Sequence, residues 1–294
     1  MRTKLILYFL VTTAAATAQH NSAYSQYMFN MLLVNPAYAG SQDALNLTAL
    51  YRDQWVGIDG APRTLTLSAH TPFKNKHLNT GLIFSNDRIG IFDHNRVSAV
   101  YAYRFKLGRG FLSFGLQAGV NAYRQNWQNV HTTQQGDVAF ITPPTRNILP
   151  EAGFGTYYHS EHFFIGAALP SVLIDKQHSM YSPANVYTGA LINAGESFRI
   201  KPAVLVKYVK NSPVSVDVTS VFYWKDVLGF GVGYRMHDAA MALLDIGIND
   251  QLRIGYCYDY TLSKLSNYSN GSHEFMIRYL FLYKLQSAKG MRYF

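Results

Sequence analysis

Along Val214-Ser215-Val216-Asp217-Val218-Thr219, every second side chain is apolar and its neighbours are polar. A β-strand sends successive side chains to opposite faces, so such a segment asks for an oily surround on one side and a wet one on the other. The same two-residue beat returns along most of the chain and predicts fourteen strands, at 45–51, 63–72, 79–86, 93–104, 111–124, 151–159, 162–169, 186–194, 198–209, 214–224, 227–236, 239–248, 251–262 and 272–282. No long helical stretch interrupts them. In 251–262, Leu252, Ile254, Tyr256, Tyr258 and Tyr260 oppose Arg253, Gly255, Cys257, Asp259 and Thr261; in 111–124, Leu112, Phe114, Leu116, Ala118 and Val120 oppose Ser113, Gly115, Gln117, Gly119 and Asn121. Pro202 lacks a ladder donor, so a bulge or a strained position is expected within 198–209.

The connections add an independent test. Links after even-numbered strands are short, as at 106–110, Ser160-Glu161, Gly195-Glu196, Lys225-Asp226 and Asn249-Asp250, with 73–76 somewhat longer. Those after odd-numbered strands include the long regions 52–62, 125–150, 170–185 and 263–271. Short links on one rim and long loops on the other are how outer-membrane barrels are built, and a soluble sandwich shows no such parity. In hydrocarbon an open sheet would leave its edge amides and carbonyls unpaired, whereas a closed barrel pairs them all. The expected fold class is therefore all-β: a transmembrane antiparallel up-and-down β-barrel of the outer-membrane type, with about fourteen strands and lipid as its first partner.

Composition agrees with an apolar outer wall. Charged residues make up 15% of the 294 residues, against about 25% in an ordinary soluble domain. The chain carries 22 Tyr and 18 Phe, and tyrosines near strand ends suit an interfacial girdle. A net charge of +9 raises nucleic acid as a partner, but no reader motif accompanies it, so basic residues spread over turns, termini and a polar interior account for it, with no nucleic acid bound. Arg2 and Lys4 precede the apolar run Leu5 to Val11 and the small residues Ala16-Thr17-Ala18, which reads as a cleavable signal peptide over 1–18. Residues 19–44 lack alternation and are expected to form a periplasmic N-terminal arm; 45–294 would be the barrel, ending in a short basic periplasmic tail from Lys284 to Phe294. No cysteine follows the cleavage site and Cys257 stands alone, so neither a lipoprotein, an internal disulfide nor a thiolate metal cluster is expected.

Little in the chain points to chemistry. His159-Ser160-Glu161-His162 has ligand-type residues, but a tight hairpin sends its flanking residues to different faces, so no metal site is expected. Gly229-Phe230-Gly231-Val232-Gly233 superficially resembles a phosphate loop but no helix follows; glycine at alternate positions instead keeps one strand face small, where another segment fills the lumen. Arg199, Lys201, Lys207, Asp217, Asp245, Arg253, Asp259, Glu274 and Arg278 all face inward with mixed signs. Mixed signs argue against an ion-selective pore and fit ion-paired lumen packing better than catalysis. The reading is a non-enzymatic chain with no cofactor, and a barrel of this size can hold a plug or pass a small solute.

The N-terminal third carries an ordered series of motifs: Gln26-Tyr27-Met28-Phe29-Asn30, Asn35-Pro36-Ala37-Tyr38-Ala39-Gly40-Ser41, Tyr51-Arg52-Asp53-Gln54-Trp55-Val56-Gly57, and Gly60-Ala61-Pro62-Arg63-Thr64. With Asn86-Asp87-Arg88-Ile89-Gly90 and Leu112-Ser113-Phe114-Gly115-Leu116, this series closely resembles the PorP/SprF family. The resemblance implies an outer-membrane barrel of the type IX secretion and gliding-motility machinery that contacts periplasmic secretion components and helps a secreted cargo protein reach or stay at the cell surface. On that implication Tyr27, Phe29, Asn30, Asn35, Pro36, Tyr38, Gly40, Arg52, Gln54, Trp55, Gly57 and Pro62 are either partner-binding or structural family residues. The arm either caps the barrel mouth, meets a periplasmic partner, or packs while Asn35-Pro36 turns the chain; Trp55 either anchors a partner or clamps its own loop. The rival reading is a passive porin or hydrophobic-compound transporter with an open lumen.

Overall fold

The computed structural model describes residues 24–125, 146–173, 183–281 and 293. The strands are β1 (Leu45–Asp53), β2 (Arg63–Pro72), β3 (Leu78–Ile89), β4 (Phe92–Leu107), β5 (Gly110–Gln125), β6 (Arg146–His159), β7 (Phe163–Leu173), β8 (Ala184–Ala190), β9 (Ile192–Asn193), β10 (Phe198–Tyr208), β11 (Ser215–Trp224), β12 (Leu228–Arg235), β13 (Ala239–Gly247), β14 (Leu252–Thr261) and β15 (Ser272–Phe281). β8 and β9 are two pieces of one stave, both paired with β10, so the wall has fourteen staves. Each stave is antiparallel to the next, β15 pairs with β1, and the ring has no free edge. Closure joins the last stave to the first, so no edge strand faces the hydrocarbon.

Alternation sets the two faces as the sequence predicts. In β14, Arg253, Gly255, Cys257, Asp259 and Thr261 are buried, while Ile254 and Tyr260 face out. In β5, Leu116 is 63% exposed on the outer wall between the buried Gly115 and Gln117. Pro202 makes no bulge: Ala203 pairs with Gly189 and Ile200 with Ile192 in one unbroken register, and the missing N–H shows instead as the gap between β8 and β9 at Leu191. A register irregularity lies elsewhere, between Ala152 and Phe154 of β6 opposite β7, where the chain passes Pro170.

The rim where β1 begins and β15 ends carries only short links, of which 73–77 is the longest. By the construction rule of these barrels it faces the periplasm. The opposite, extracellular rim carries 54–62, 262–271 and the links 126–145 and 174–183, which except for Pro183 lie outside the described residues, as do the expected signal peptide and residues 282–292. Parity is looser than the long loops suggest, because β3 and β4 join through Gly90-Ile91 and β12 and β13 through 236–238 on that same rim.

The largest departure concerns the expected periplasmic arm. Its described part, residues 24–44, lies inside the barrel and is buried almost throughout. The reason is apolar area: Tyr27, Met28, Phe29, Met31, Leu32 and Leu33 would stand in water outside, and the inward-facing Leu50, Ile83, Val100, Leu205, Val221 and Leu243 would lack cover. The core of this molecule is the contact between that segment and the inner wall.

If the outer face meets hydrocarbon, Leu116→Arg near the middle of β5 should cost about 2–4 kcal/mol. Unfolding from liposomes followed by the heat-dependent gel shift measures this, and an unchanged transition would contradict the lipid-facing assignment.

Candidate functional site: the occupied lumen

Residues 24–44 form no regular helix. Three 3-10 turns follow one another, η1 (Tyr27–Phe29), η2 (Met31–Leu33) and η3 (Pro36–Tyr38), each closed by its own backbone bonds. Such short turns leave some backbone groups for the wall, among them the N–H groups of Ser25, Gln26 and Gly40 and the carbonyls of Met28, Phe29 and Val34. At η3, Asn35 caps the turn by accepting from the Ala37 N–H at 2.8 Å, and Pro36 supplies the fixed φ favoured at the first position. The Asn35 amide also donates to the Thr156 carbonyl at 2.8 Å and to the Tyr187 hydroxyl at 3.0 Å, which holds the turn against β6 and β8.

The wall is shaped to receive this turn. A Cβ on Gly115 would overlap the backbone of Pro36 and Ala37, and one on Gly155 would overlap the Asn35 side chain. Tyr38 sits edge-on to both His70 and Tyr157, with ring centroids 5.5 Å apart in each case. Gly40 then turns the chain into β1 with φ +71°, against the Asn79 side chain, so no larger residue fits. Its N–H donates to His70 Nδ1 at 3.0 Å, and Arg104 binds Asp43 at 2.6 Å to close this end.

Toward the extracellular end the plug is latched by charge. The Ser25 and Gln26 N–H groups donate to the two oxygens of Glu274, at 2.9 and 2.7 Å. Arg52 spans Glu274 at 3.0 Å and Asp259 at 2.7 Å, and the Ser25 hydroxyl donates to Asp259 at 2.6 Å. Arg235 lies 3.6 Å from Asp259 and 3.1 Å from Asp217, which Lys207 approaches to 3.2 Å. Carboxylates and bases thus alternate around the plug's first described residues, and each charge removed from water has a partner. Tyr24 meets Thr66 at 3.0 Å.

Between these ends, the Lys201 ammonium donates to the Met28 carbonyl at 3.2 Å and to the Tyr293 carbonyl at 2.6 Å. Tyr293, expected in a periplasmic tail, is buried inside the mouth. Its ring meets Tyr223 edge-on at 4.9 Å and its hydroxyl is bonded to Asp226 and, at 3.2 Å, to Arg199. An aromatic ring with a polar tip matches a pocket that is apolar below and charged at its lip.

Of the family residues, Tyr27, Phe29, Asn30, Asn35, Pro36, Tyr38 and Gly40 lie in the plug, and Arg52 belongs to its latch. Gln54, Trp55, Gly57 and Pro62 form a separate group on the extracellular rim. The Gln54 N–H donates to Pro62 O at 2.9 Å, and Val56 exchanges backbone bonds with Gly271 and Asn270 at 2.8 and 2.7 Å, which stitches loop 54–62 to loop 262–271. Gly60 O accepts from Gly90 N–H at 2.8 Å on the other side.

Sequence reasoning misplaced some parts and missed others. Gly229, Gly231 and Gly233 make room for Tyr223, Val221, Leu243 and Met241 of neighbouring strands rather than for a lumen segment; the glycines the plug presses on are Gly115, Gly155 and Gly255. His159 is buried against Tyr157, with centroids 5.2 Å apart, while His162 is exposed, and among the described residues no three His, Cys, Asp or Glu side chains gather as metal ligands. Ser25 and Arg235 were not singled out, and Gln26 stood only at the head of a motif, with no role of its own. Arg235 had a signal, since it continues the inward face of the alternate glycines; Ser25 had none.

An all-antiparallel closed barrel with an apolar outer wall and ion-paired interior defines an outer-membrane β-barrel. The chain belongs to the PorP/SprF family of type IX secretion system membrane proteins, whose family model matches residues 16–279. Among solved structures it is similar in fold to the Acinetobacter baumannii outer membrane protein Omp33, with TM-score 0.51 and 9% identity over 81% of this chain and 98% of that one. It is likewise similar to the Ralstonia pickettii toluene transporter TbuX, with TM-score 0.53 and 10% identity over 86% of this chain and 92% of that one. No curated protein matches it by sequence.

Two variants probe the plug. Arg52→Ala leaves Asp259 and Glu274 without their shared cation and should cost about 3–5 kcal/mol. Gly115→Val should spare the ladder yet expel η3, seen as faster amide exchange at 35–40. Normal protection of those amides in Gly115→Val would mean the wall does not fix the plug.

Proposed function

We propose that this barrel acts in type IX secretion as a docking platform rather than a conduit: its extracellular rim holds or anchors a secreted cargo protein at the cell surface, and its periplasmic face contacts the secretion machinery, with gliding motility as a process it serves. The single observation that carries this reading is the plug. Residues 24–44 occupy the lumen, are latched by Glu274, Asp259 and Arg52 near one end, and continue covalently into β1 at the other. A barrel filled in this way offers partners its two rims, because its wall is taken up by lipid.

On the extracellular rim, the stitched loops 54–62 and 262–271 carry Tyr268, 75% exposed, Leu265 and the half-buried Trp55. Aromatic side chains held on an ordered loop suit an anchoring contact, since little entropy is lost when they bind. The expected docking loops at 125–150 and 170–185 fall mainly outside the described residues. Chemistry on a substrate forms no part of the proposal, because the inward carboxylates Asp217, Asp245, Asp259 and Glu274 are each paired with an arginine. The passive porin or hydrophobic-compound transporter reading requires an open lumen, and the plug weighs against it.

Purified protein in liposomes should show no solute flux above empty vesicles, while a pull-down from native membranes should recover periplasmic type IX components and a surface protein. Tyr268→Ala with Trp55→Ala, or replacement of 128–143 by a short glycine-serine turn, should leave the heat-dependent gel shift intact and reduce cargo at the surface at least several-fold. Flux without any co-purifying partner would reverse the reading in favour of a porin.

A further inference from the structure

The periplasmic mouth contains a formed pocket that no role above requires. Its floor is the ring of Tyr223, its lip is Arg199 and Asp226, and its inner wall is Lys201, all from β10, β11 and the turn between β11 and β12. That turn holds Lys225 and Asp226 at φ +51° and +59°, a conformation costly for residues other than glycine. The strained turn points the Asp226 carboxylate at both Arg199 and the Tyr293 hydroxyl, and its carbonyl accepts from Arg253 at 2.8 Å. Arg199 also lies over the Tyr293 ring, 5.4 Å from its centroid. A phenol is therefore read by shape, by a cation above its face, and by hydrogen bonds at its tip.

We infer that this pocket is a binding site for a tyrosine-bearing peptide segment, that Tyr293 of the chain occupies it in cis, and that occupancy is transmitted to the plug through Lys201. The transmission has a direct geometry. One ammonium group donates both to the carbonyl of Tyr293 and to the carbonyl of Met28, between η1 and η2. Lys201 is only 2% exposed, and its ammonium also lies 5.6 Å from the Phe164 ring centroid. With Tyr293 withdrawn, the buried ammonium loses one of its acceptors, and its hold on the Met28 carbonyl is no longer braced from the periplasmic side. Removing the tail residue thus loosens the middle of the plug from the periplasmic side while the extracellular latch at Glu274 is untouched. A periplasmic partner that offers its own aromatic residue, or captures this one, would act on the lumen without entering it.

The test uses the full chain in lipid nanodiscs. In Tyr293→Ala, amide exchange at 27–34 should rise at least several-fold while exchange at 24–26 stays as in the wild type. A fluorescent peptide of residues 288–294 should bind Tyr293→Ala at least 10-fold more tightly than the wild type, whose pocket is filled, and should restore protection at 27–34. The same peptide with its tyrosine replaced by alanine should not bind. Asp226→Asn, placed on a rim turn and so outside the ladder, should weaken the peptide at least several-fold when added to Tyr293→Ala, with the gel shift reporting that the barrel is intact. Peptide binding equal in wild type and Tyr293→Ala, or unchanged exchange at 27–34, would overturn the proposal.

Discussion

Glu274 is where the molecule is tied together. It stands on the last strand, directly opposite Arg52 on the first, so the ion pair between them spans the seam that closes the ring. The same carboxylate accepts the N–H groups of Ser25 and Gln26, which begin the described plug. Seam and plug therefore share one buried charge. A carboxylate withdrawn from water is stable only when its charge and its lone pairs are both met, and here the arginine meets the first while two backbone amides help meet the second. Take the plug away and Glu274 keeps its cation but loses two donors, and Asp259 loses the Ser25 hydroxyl. The filled lumen is thus part of how the barrel closes.

The two faces of the wall obey opposite demands, and the strand period serves both. Outside, Leu82, Leu116 and Phe154 face hydrocarbon, where nothing but apolar contact is available. Inside, glycines at 115, 155 and 255 let the plug backbone and its Asn35 and Gln26 side chains come close, while Thr66, Ser68 and Thr219 supply hydroxyls at the height of Tyr24, Asn30 and Tyr27. The plug could not be a long helix and make these contacts, because a helix spends its backbone groups on itself. Successive 3-10 turns keep the segment narrow and leave side chains such as Asn35 to span the gap.

Legibility in the sequence follows from this division. Strands and faces could be read because alternation has a fixed period that each face enforces independently; hence Leu252 to Thr261 and Leu112 to Asn121 fell on the expected sides. Pro202 was readable as a fault in the ladder, though its form, a gap in the neighbouring stave without any change of register, depends on pairing that one strand cannot reveal. The plug was not readable. Segments of three residues have no period, and Tyr27, Met28 and Phe29 would suit a buried plug and a sticky periplasmic arm equally well. The Asn35 to Gly40 motif stood out as a pattern but acquired its meaning only with the wall around it: a cap, a fixed φ, a ring between His70 and Tyr157, and a left-handed turn beside Asn79.

The tethering of the plug also constrains what movement the lumen allows. At the periplasmic end the segment runs covalently into β1 and is pinned by Arg104 on Asp43, so that end cannot leave without unzipping the first strand. At the other, withdrawal would strand Glu274 and Asp259 with fewer donors in a site shielded from water. The middle is held differently, by packing and by single contacts such as Lys201 to Met28, Asn30 to Ser68 and Arg278 to Phe29. A segment fixed at both ends, with its apolar middle packed on the inner wall, cannot swing out as a gate. Changes in such a lumen reach the outside as altered support for the strands at its rims.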